Sequence, residues 1–405
     1  MVTVHDDLLA PDVVEDPYTY FGRLREEDPV HWNPLYETWV ITRYDDVVWS
    51  LRRPEFFSSE VFLRDPTRPY PPILEEDEGL YDFNKRYLSH WFIRRDPPDH
   101  TRMRRIPHLQ FSPKYIEQRF RRMVQDILTD LIRDVEAQGQ MDIIQDFAAP
   151  LPILVIAEWL GFPKEDREFL RQSSRGVLSV DEAAADRNER TAKALLTLKE
   201  YINPLIDERM AHPRDDLLSM MGTGEREGTM SRDEVIGNLI LLLIAGHQTT
   251  INLIGNGTLA LMRHPDQWER LRRDPSLIVK ATEELLRYDG PVKRAPRIAA
   301  EDFELGGKTI RRSERVLIVL SSANRDPRQY SEPDTLDITR YPNPHVAFGG
   351  GIHHCLGANL ARLEGQEALK ALVQRFPPFR LGTEKLAYQP LLNLRALAGL
   401  PVAWN

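Results

Sequence analysis

Cysteine is almost missing from this sequence: among 405 residues only Cys355 carries a thiol. An internal disulfide is therefore impossible, and so is any zinc or iron–sulfur site that needs several cysteines. A positive field is missing as well. The formal net charge is −9 and the arginines are scattered along the chain, which argues against a nucleic-acid partner. No secretory signal is expected, because the first 17 residues are acidic and lack a continuous apolar core. Charged residues are absent between Glu234 and Arg263, a stretch long enough to cross a bilayer. Asn238, His247, Gln248, Thr249, Thr250, Asn252 and Asn256 interrupt it, and polar groups at that density are costly in lipid. The expectation is a long helix through a large soluble core, with no membrane span and a cytoplasmic location. Internal repeats, low-complexity tracts and linkers are also missing, so residues 1–405 are expected to form one domain.

What is present is mostly helical pattern. From Arg119 to Val135, apolar residues recur every three or four positions: Phe120, Met123, Val124, Ile127, Leu128, Leu131 and Ile132 share a face. Further helices are expected around Ala192–Ile202, Val235–Met262 and Leu277–Tyr288, the last bounded by Pro275 and by Gly290-Pro291. Strand signals are few: Thr38–Thr42 and Arg315–Leu320, with Lys308–Ile310 as a possible partner after Gly306-Gly307. Two long irregular stretches, Phe62–Pro98 and Asn324–Ile352, are expected to be functional loops. The fold class that follows is α-rich with a small β region around a buried cofactor.

Phe348-Gly349-Gly350-Gly351-Ile352-His353-His354-Cys355-Leu356-Gly357 is the strongest chemical signal. It precedes a helical run, Ala358–Val373, whose free N–H groups and positive dipole end favour a thiolate. The glycines allow tight turns and are expected to let the backbone approach a flat ligand. A buried structural cysteine beside a glycine turn accounts for neither the glycine run nor the two histidines. Zinc fits poorly, since His353, His354 and Cys355 are consecutive and His-Glu-x-x-His is absent. A phosphate loop fits poorly as well, since no Gly-Lys-Ser/Thr follows. These features suit a thiolate bonded to iron.

The run Phe348-x-x-Gly351-x-His353-x-Cys355-x-Gly357 resembles the haem-binding loop of the cytochrome P-450 superfamily. Glu284-x-x-Arg287 resembles its buried structural ion pair, and Ala245-Gly246-His247-Gln248-Thr249-Thr250 its distal oxygen groove. Asp96-Pro97-Pro98-Asp99-His100 and Ala323-Asn324-Arg325-Asp326-Pro327 resemble stretches of its soluble bacterial branch. Together they cover the chain from about Asp16 onward. The resemblance implies an α-rich triangular prism holding haem b, with Cys355 as the metal ligand and O2 as co-substrate. Phe348, Gly351 and Gly357 would shape the loop, and His100, Arg104, Arg297 and His353 would meet the propionates. His100 and Arg104 lie one helical turn apart, which allows both to face one rim. Thiolate ligation favours O–O cleavage. In the catalytic groove, Thr249 would support oxygen and water, and Gly246, beside Ala245, would leave space for the ligand. The plainer reading of Thr249 is a helix threonine bonding back one turn.

Two positions depart from the family pattern. Gln248 stands where an acid is usual, and an amide cannot carry a proton. Pro333-Asp334-Thr335-Leu336 lacks the usual third partner of the Glu284–Arg287 pair, and Arg340 is the candidate substitute. The substrate would lie above the distal haem face, lined by Leu88, Trp91, Phe92, Ile93, Leu242, Ala245, Val292, Ala295, Leu394 and Leu397. That mostly apolar set implies a hydrophobic small molecule. Lys293 and Arg294 are expected to be solvated. Electrons would come from a ferredoxin-type donor with its reductase, meeting Arg102 and Arg105 near the proximal face. Three readings are carried forward: a monooxygenase; a peroxygenase or other oxidative catalyst (C–C coupling, desaturation), favoured by Gln248; and a haem carrier or gas sensor.

Overall fold

The computed structural model describes residues 5–64, 78–178, 186–383 and 385–404. Its axis is the charge-free stretch seen in the sequence. That stretch forms one helix, Arg232–Arg263, of 32 residues, about 48 Å long at 1.5 Å per residue. A capping box starts it: the Ser231 side chain accepts from the Glu234 N–H, while the Glu234 carboxylate accepts from the Ser231 N–H. Its length and hydropathy would suit a membrane span, as would those of Ile143–Leu160, but both are wrapped by other elements of the fold.

The central helix is packed on all sides. Pro150–Leu160, Ile278–Asp289 and Ala358–Arg375 lie against it. Close approach depends on missing side chains: a Cβ on Gly255 would lie 2.3 Å from Ile144, and one on Gly365 would lie 2.7 Å from Leu253. The amphipathic helix read at Arg119–Val135 extends over Pro113–Glu136, with Ile116, Phe120, Val124, Leu128, Ile132 and Val135 buried. The helix expected at Ala192–Ile202 runs over Arg187–Ala211. All belong to one large apolar core.

A five-stranded sheet forms the smaller region, in the order Val30–Asn33, Thr38–Ile41, Arg315–Val319, Arg294–Ala299, Phe57–Ser58. Thr38–Ile41 and Arg315–Val319 pair in parallel; the other neighbours are antiparallel. Two sequence expectations are corrected here. Lys308–Ile310 pairs with Phe303–Leu305 in a separate hairpin, while the partner of Arg315–Val319 is Arg294–Ala299. That strand, Arg-Ala-Pro-Arg-Ile-Ala, escaped notice because proline and two arginines mask its alternation. The stretch Phe62–Pro98 is also less irregular than expected: it contains a helix at Glu78–Leu88 and a 3-10 turn at Phe92–Arg94, although residues 65–77 lie outside the described residues. Asn324–Ile352 is an extended loop, as read.

Candidate active site

From Glu234 to Leu261 the central helix is buried at every residue except four: Ala245, Gly246, Gln248 and Thr249. Residues 245, 248 and 249 stand at i, i+3 and i+4, so one helix face opens onto an interior space, while His247 is buried. The sequence motif therefore coincides with the single break in the helix's packing. Thr249 Oγ1 donates to the Ala245 carbonyl at 2.8 Å. Gln248 Nε2 donates to Asn252 Oδ1 at 3.0 Å. A Cβ on Gly246 would point toward Ile156 on the helix Pro150–Leu160, at an ordinary contact distance of 3.4 Å.

Cys355 lies in the loop before the helix Ala358–Arg375. Its N–H donates to the Phe348 carbonyl at 2.9 Å, closing the turn. The residue keeps accessible surface, yet burial pushes its thiol pKa up, so that surface faces an interior cleft. The Gly357 N–H, Arg104 and Arg362 oppose this rise; all three favour a thiolate. The glycine run supplies the tight turns expected of it. Gly349 and Gly351 have φ of +69° and +62°, and a Cβ on Gly351 would lie 2.2 Å from the Leu51 carbonyl oxygen. The glycines seat the loop on the end of the helix Tyr44–Leu51. Gly357 N-caps the following helix. Phe348 stacks under Arg362, 4.4 Å away, which Glu283 holds with two hydrogen bonds of 2.7 and 2.9 Å.

Beside the loop is a cluster of basic side chains. His100 and His353 lie with ring centroids 4.4 Å apart. Both His100 ring nitrogens and His353 Nδ1 are buried without a hydrogen-bond partner, and His353 Nε2 meets Ser59 Oγ at 2.9 Å. Burial pushes the His100 pKa down to about 4, with Arg104 adding to it. Burial together with Arg297, His100, Arg104 and Arg94 pushes His353 down to about 2. Arg297 is lowered to about 10 by burial and by Arg94. Groups that disfavour one another's charge mark a place short of an anion. Arg104 is only partly as expected: its guanidinium donates to the His354 carbonyl and its charge faces Cys355, so it braces the cysteine loop.

The Glu284–Arg287 pair is wholly buried, with Nε–Oε2 and Nη2–Oε1 both 2.8 Å. Arg287 also donates to the Asn324, Pro333 and Thr335 carbonyls. Arg340 reaches Glu284 at 3.1 Å, taking the place of the missing third partner as read from the sequence. Asn343 and the Asp337 N–H complete the carboxylate's shell.

A match to the family model Cytochrome P450 over residues 180–386 decides what this assembly is. The chain belongs to the cytochrome P450 family. It is 38% identical to the polyketide biosynthesis cytochrome P450 PksS of Bacillus subtilis over 403 residues, covering 96% of each chain. It is 40% identical to cytochrome P450 CYP107DY1 of Priestia megaterium, covering 99% of each. Among solved structures, CalO2 superposes with a TM-score of 0.90 at 33% identity, over 100% of this chain and 99% of that one. P450BioI, in complex with an acyl carrier protein ligated to hexadec-9Z-enoic acid, gives 0.89 at 34% over 98% and 99%. This P450 is therefore an oxidoreductase, a haem b monooxygenase that uses O2 on small molecules. The residues fit that cofactor: a cluster of arginine and unpartnered histidine side chains short of an anion, a thiol facing an interior cleft, and an opened helix groove.

Other expected residues are redistributed by the structure. Phe92, Leu242 and Leu397 are 4%, 6% and 1% exposed and belong to the core, so they line little or none of a substrate space. Leu88 and Trp91 pack partly against that core. Ile93, Ala245, Val292, Ala295 and Leu394 keep accessible surface. Lys293 and Arg294 are buried and not solvated as expected; Arg294 faces the Phe21 ring, because strand alternation sends it opposite to Ala295 and Arg297. Arg102 is no free surface cation. It pairs with Glu234 at 2.7 Å and with Asp99 at 2.8 Å, and donates to the Thr229 carbonyl. Arg105 is exposed. Sequence reasoning missed Glu364, buried against Thr250 with its pKa pushed up to about 8 by burial. It also missed Arg94; in both cases the missing signal was depth, which a surface-type residue in a helix or loop does not advertise.

Proposed function

We propose that this P450 inserts one oxygen atom into a hydrophobic small molecule, with Cys355 as the thiolate that would bind the haem iron and electrons from a separate ferredoxin-type donor and its reductase. The carrying observation is the four-residue opening at Ala245, Gly246, Gln248 and Thr249 in an otherwise sealed helix, in one fold with an inward-facing Cys355. When bound, thiolate-ligated haem supplies the oxidising iron and favours O–O cleavage. The protein supplies the surroundings. His100, Arg297 and His353 would hold the propionates, and Arg104 steadies the cysteine loop through the His354 carbonyl. Thr249 gives its hydroxyl proton to Ala245, so its oxygen faces the groove as an acceptor for water. Ile93, Ala245, Val292, Ala295 and Leu394 form apolar walls that exclude water and favour an apolar substrate. Arg105 is the exposed cation of the donor surface. The same reading makes the protein cytoplasmic and a single domain over residues 1–405, supported by bacterial relatives matched over nearly the whole chain.

A second reading, peroxide-driven oxidation, has one observation behind it. Gln248 is tied to Asn252 and neither amide can release and regain a proton, so proton supply to the groove is weakened. The first reading is tested by the absorption of the dithionite-reduced protein with carbon monoxide, beside Cys355→Ser. A strongly red-shifted Soret band that the variant loses is expected. Haem bound without that band would refute thiolate ligation by Cys355.

A further inference from the structure

Arg94 and Arg95 are neighbours that the chain sends in different directions. Phe92–Arg94 forms one 3-10 turn and Arg95 is extended after it, which turns successive side chains apart. The charge of Arg95 is felt by His90; that of Arg94 is felt by His353 and Arg297. Arg94 lies with its guanidinium over the Phe62 ring, 4.9 Å from the centroid. Its Nε is shielded from solvent and has no hydrogen-bond partner. The nearby carboxylate, Asp96, is already engaged by Ser58 Oγ at 2.5 Å, the Ser59 N–H at 2.8 Å and Arg64 at 3.7 Å.

A guanidinium held in protein without a counter-charge is costly, and the cost rises when other cations face it. Arg297 and the uncharged His353 ring face it here, and no carboxylate pairs with Arg94 among the described residues. An anion brought to the two guanidiniums would supply the missing counter-charge, and the histidine rings can donate hydrogen bonds to it. We propose that Arg94 holds a haem propionate as a further cation beside Arg297 and the His100–His353 pair, and that its charge tightens haem retention and favours reduction of the iron. The Phe62 ring fixes the plane of the guanidinium, so that little side-chain freedom is lost when the anion binds.

The test uses haem-loaded protein, with haem transfer to excess apomyoglobin and the ferric/ferrous midpoint potential as readouts. Arg94→Gln is expected to release haem on the order of tenfold faster, as loss of a charge-assisted hydrogen bond implies. Its reduction equilibrium is expected to fall by up to about tenfold, a shift of about −59 mV for one electron. Arg94→Lys, which keeps the charge, should stay near the parent, and Arg95→Gln should match the parent. Parent-like release and potential in Arg94→Gln, or equal effects in Arg95→Gln, overturn the proposal. If Arg94→Gln takes up no haem, Arg94→Lys decides: parent-like loading and potential uphold the role, and failure to load overturns it. A parent that binds no haem would sink the proposed function with it, whereas an unaffected Arg94→Gln sinks only this assignment.

Discussion

Two charge-bearing clusters in this P450, one around Glu284 and one around His100 and His353, have opposite accounting. Around Glu284 the carboxylate accepts from Arg287, Arg340, Asn343 and the Asp337 N–H, while Arg287 spends its remaining donors on backbone carbonyls. Around His100 and His353 the donors outnumber their acceptors, and four ring or guanidinium nitrogens of His100, His353 and Arg94 have no partner. A satisfied cluster is complete without a ligand and belongs to the frame. One with surplus donors is complete only with an anion, and belongs to the cofactor. The difference separates structural from functional charge where burial alone does not.

The largest effect should come from the satisfied cluster. Arg287→Met leaves Glu284 buried with two donors gone, and breaking a buried pair costs about 3–5 kcal/mol. Urea unfolding of haem-depleted protein should show a loss of that order. His100→Phe, which removes only unpartnered donors, should leave that stability within about 0.5 kcal/mol while speeding haem release. Equal destabilisation by both substitutions would break the comparison.

A smaller, pH-dependent effect is expected at Arg102. Hydrogen bonds from Arg102 hold the Glu234 pKa down to about 2. A lowered carboxylate pKa stabilises the fold above the unfolded value of about 4.3, and that contribution disappears as pH falls toward 2. Arg102→Gln should therefore lower Tm at pH 6, with the gap to the parent narrowing on acidification. Arg105→Gln should leave Tm unchanged and weaken the salt dependence of reduction by a ferredoxin. A constant Arg102 gap across pH would show that packing, and not the ion pair, is what the substitution removes.

The smallest effect, and the sharpest for mechanism, is expected from Gln248→Glu. A carboxylate in the groove should raise product formed per electron pair and reduce the share of turnover supported by peroxide alone. The gain should be a few-fold, below the ~10²–10⁴ of a fully positioned acid or base. Unchanged coupling would remove Gln248 as the reason for the second reading.

Much of this was legible beforehand. The charge-free run marked the central helix because nothing but burial tolerates so many apolar residues in sequence. Motif spacing marked Cys355, Thr249 and the Glu284–Arg287 pair, and an i, i+3 ion pair needs only the helix to form. The seat of the glycine loop was not legible: Gly351 answers to the Leu51 carbonyl, a contact distant in sequence. The strand Arg294–Ala299 was invisible because its pairing with Arg315–Val319 outweighs a composition unsuited to strands.

Sequence by itself determined the single thiol and the long charge-free helix, which follow from composition and periodicity, while the resemblance of its motifs to known P450s pointed to the family and to the roles of both. Tertiary structure alone decided which charges have partners. Arg102, Arg294 and Arg94 are equally basic in one dimension. The first is committed to Glu234, the second turns toward Phe21, and the third stands beside Arg297 and His353 without an anion. Burial and counter-charge are properties of what folds around a residue, and only the folded chain sets them.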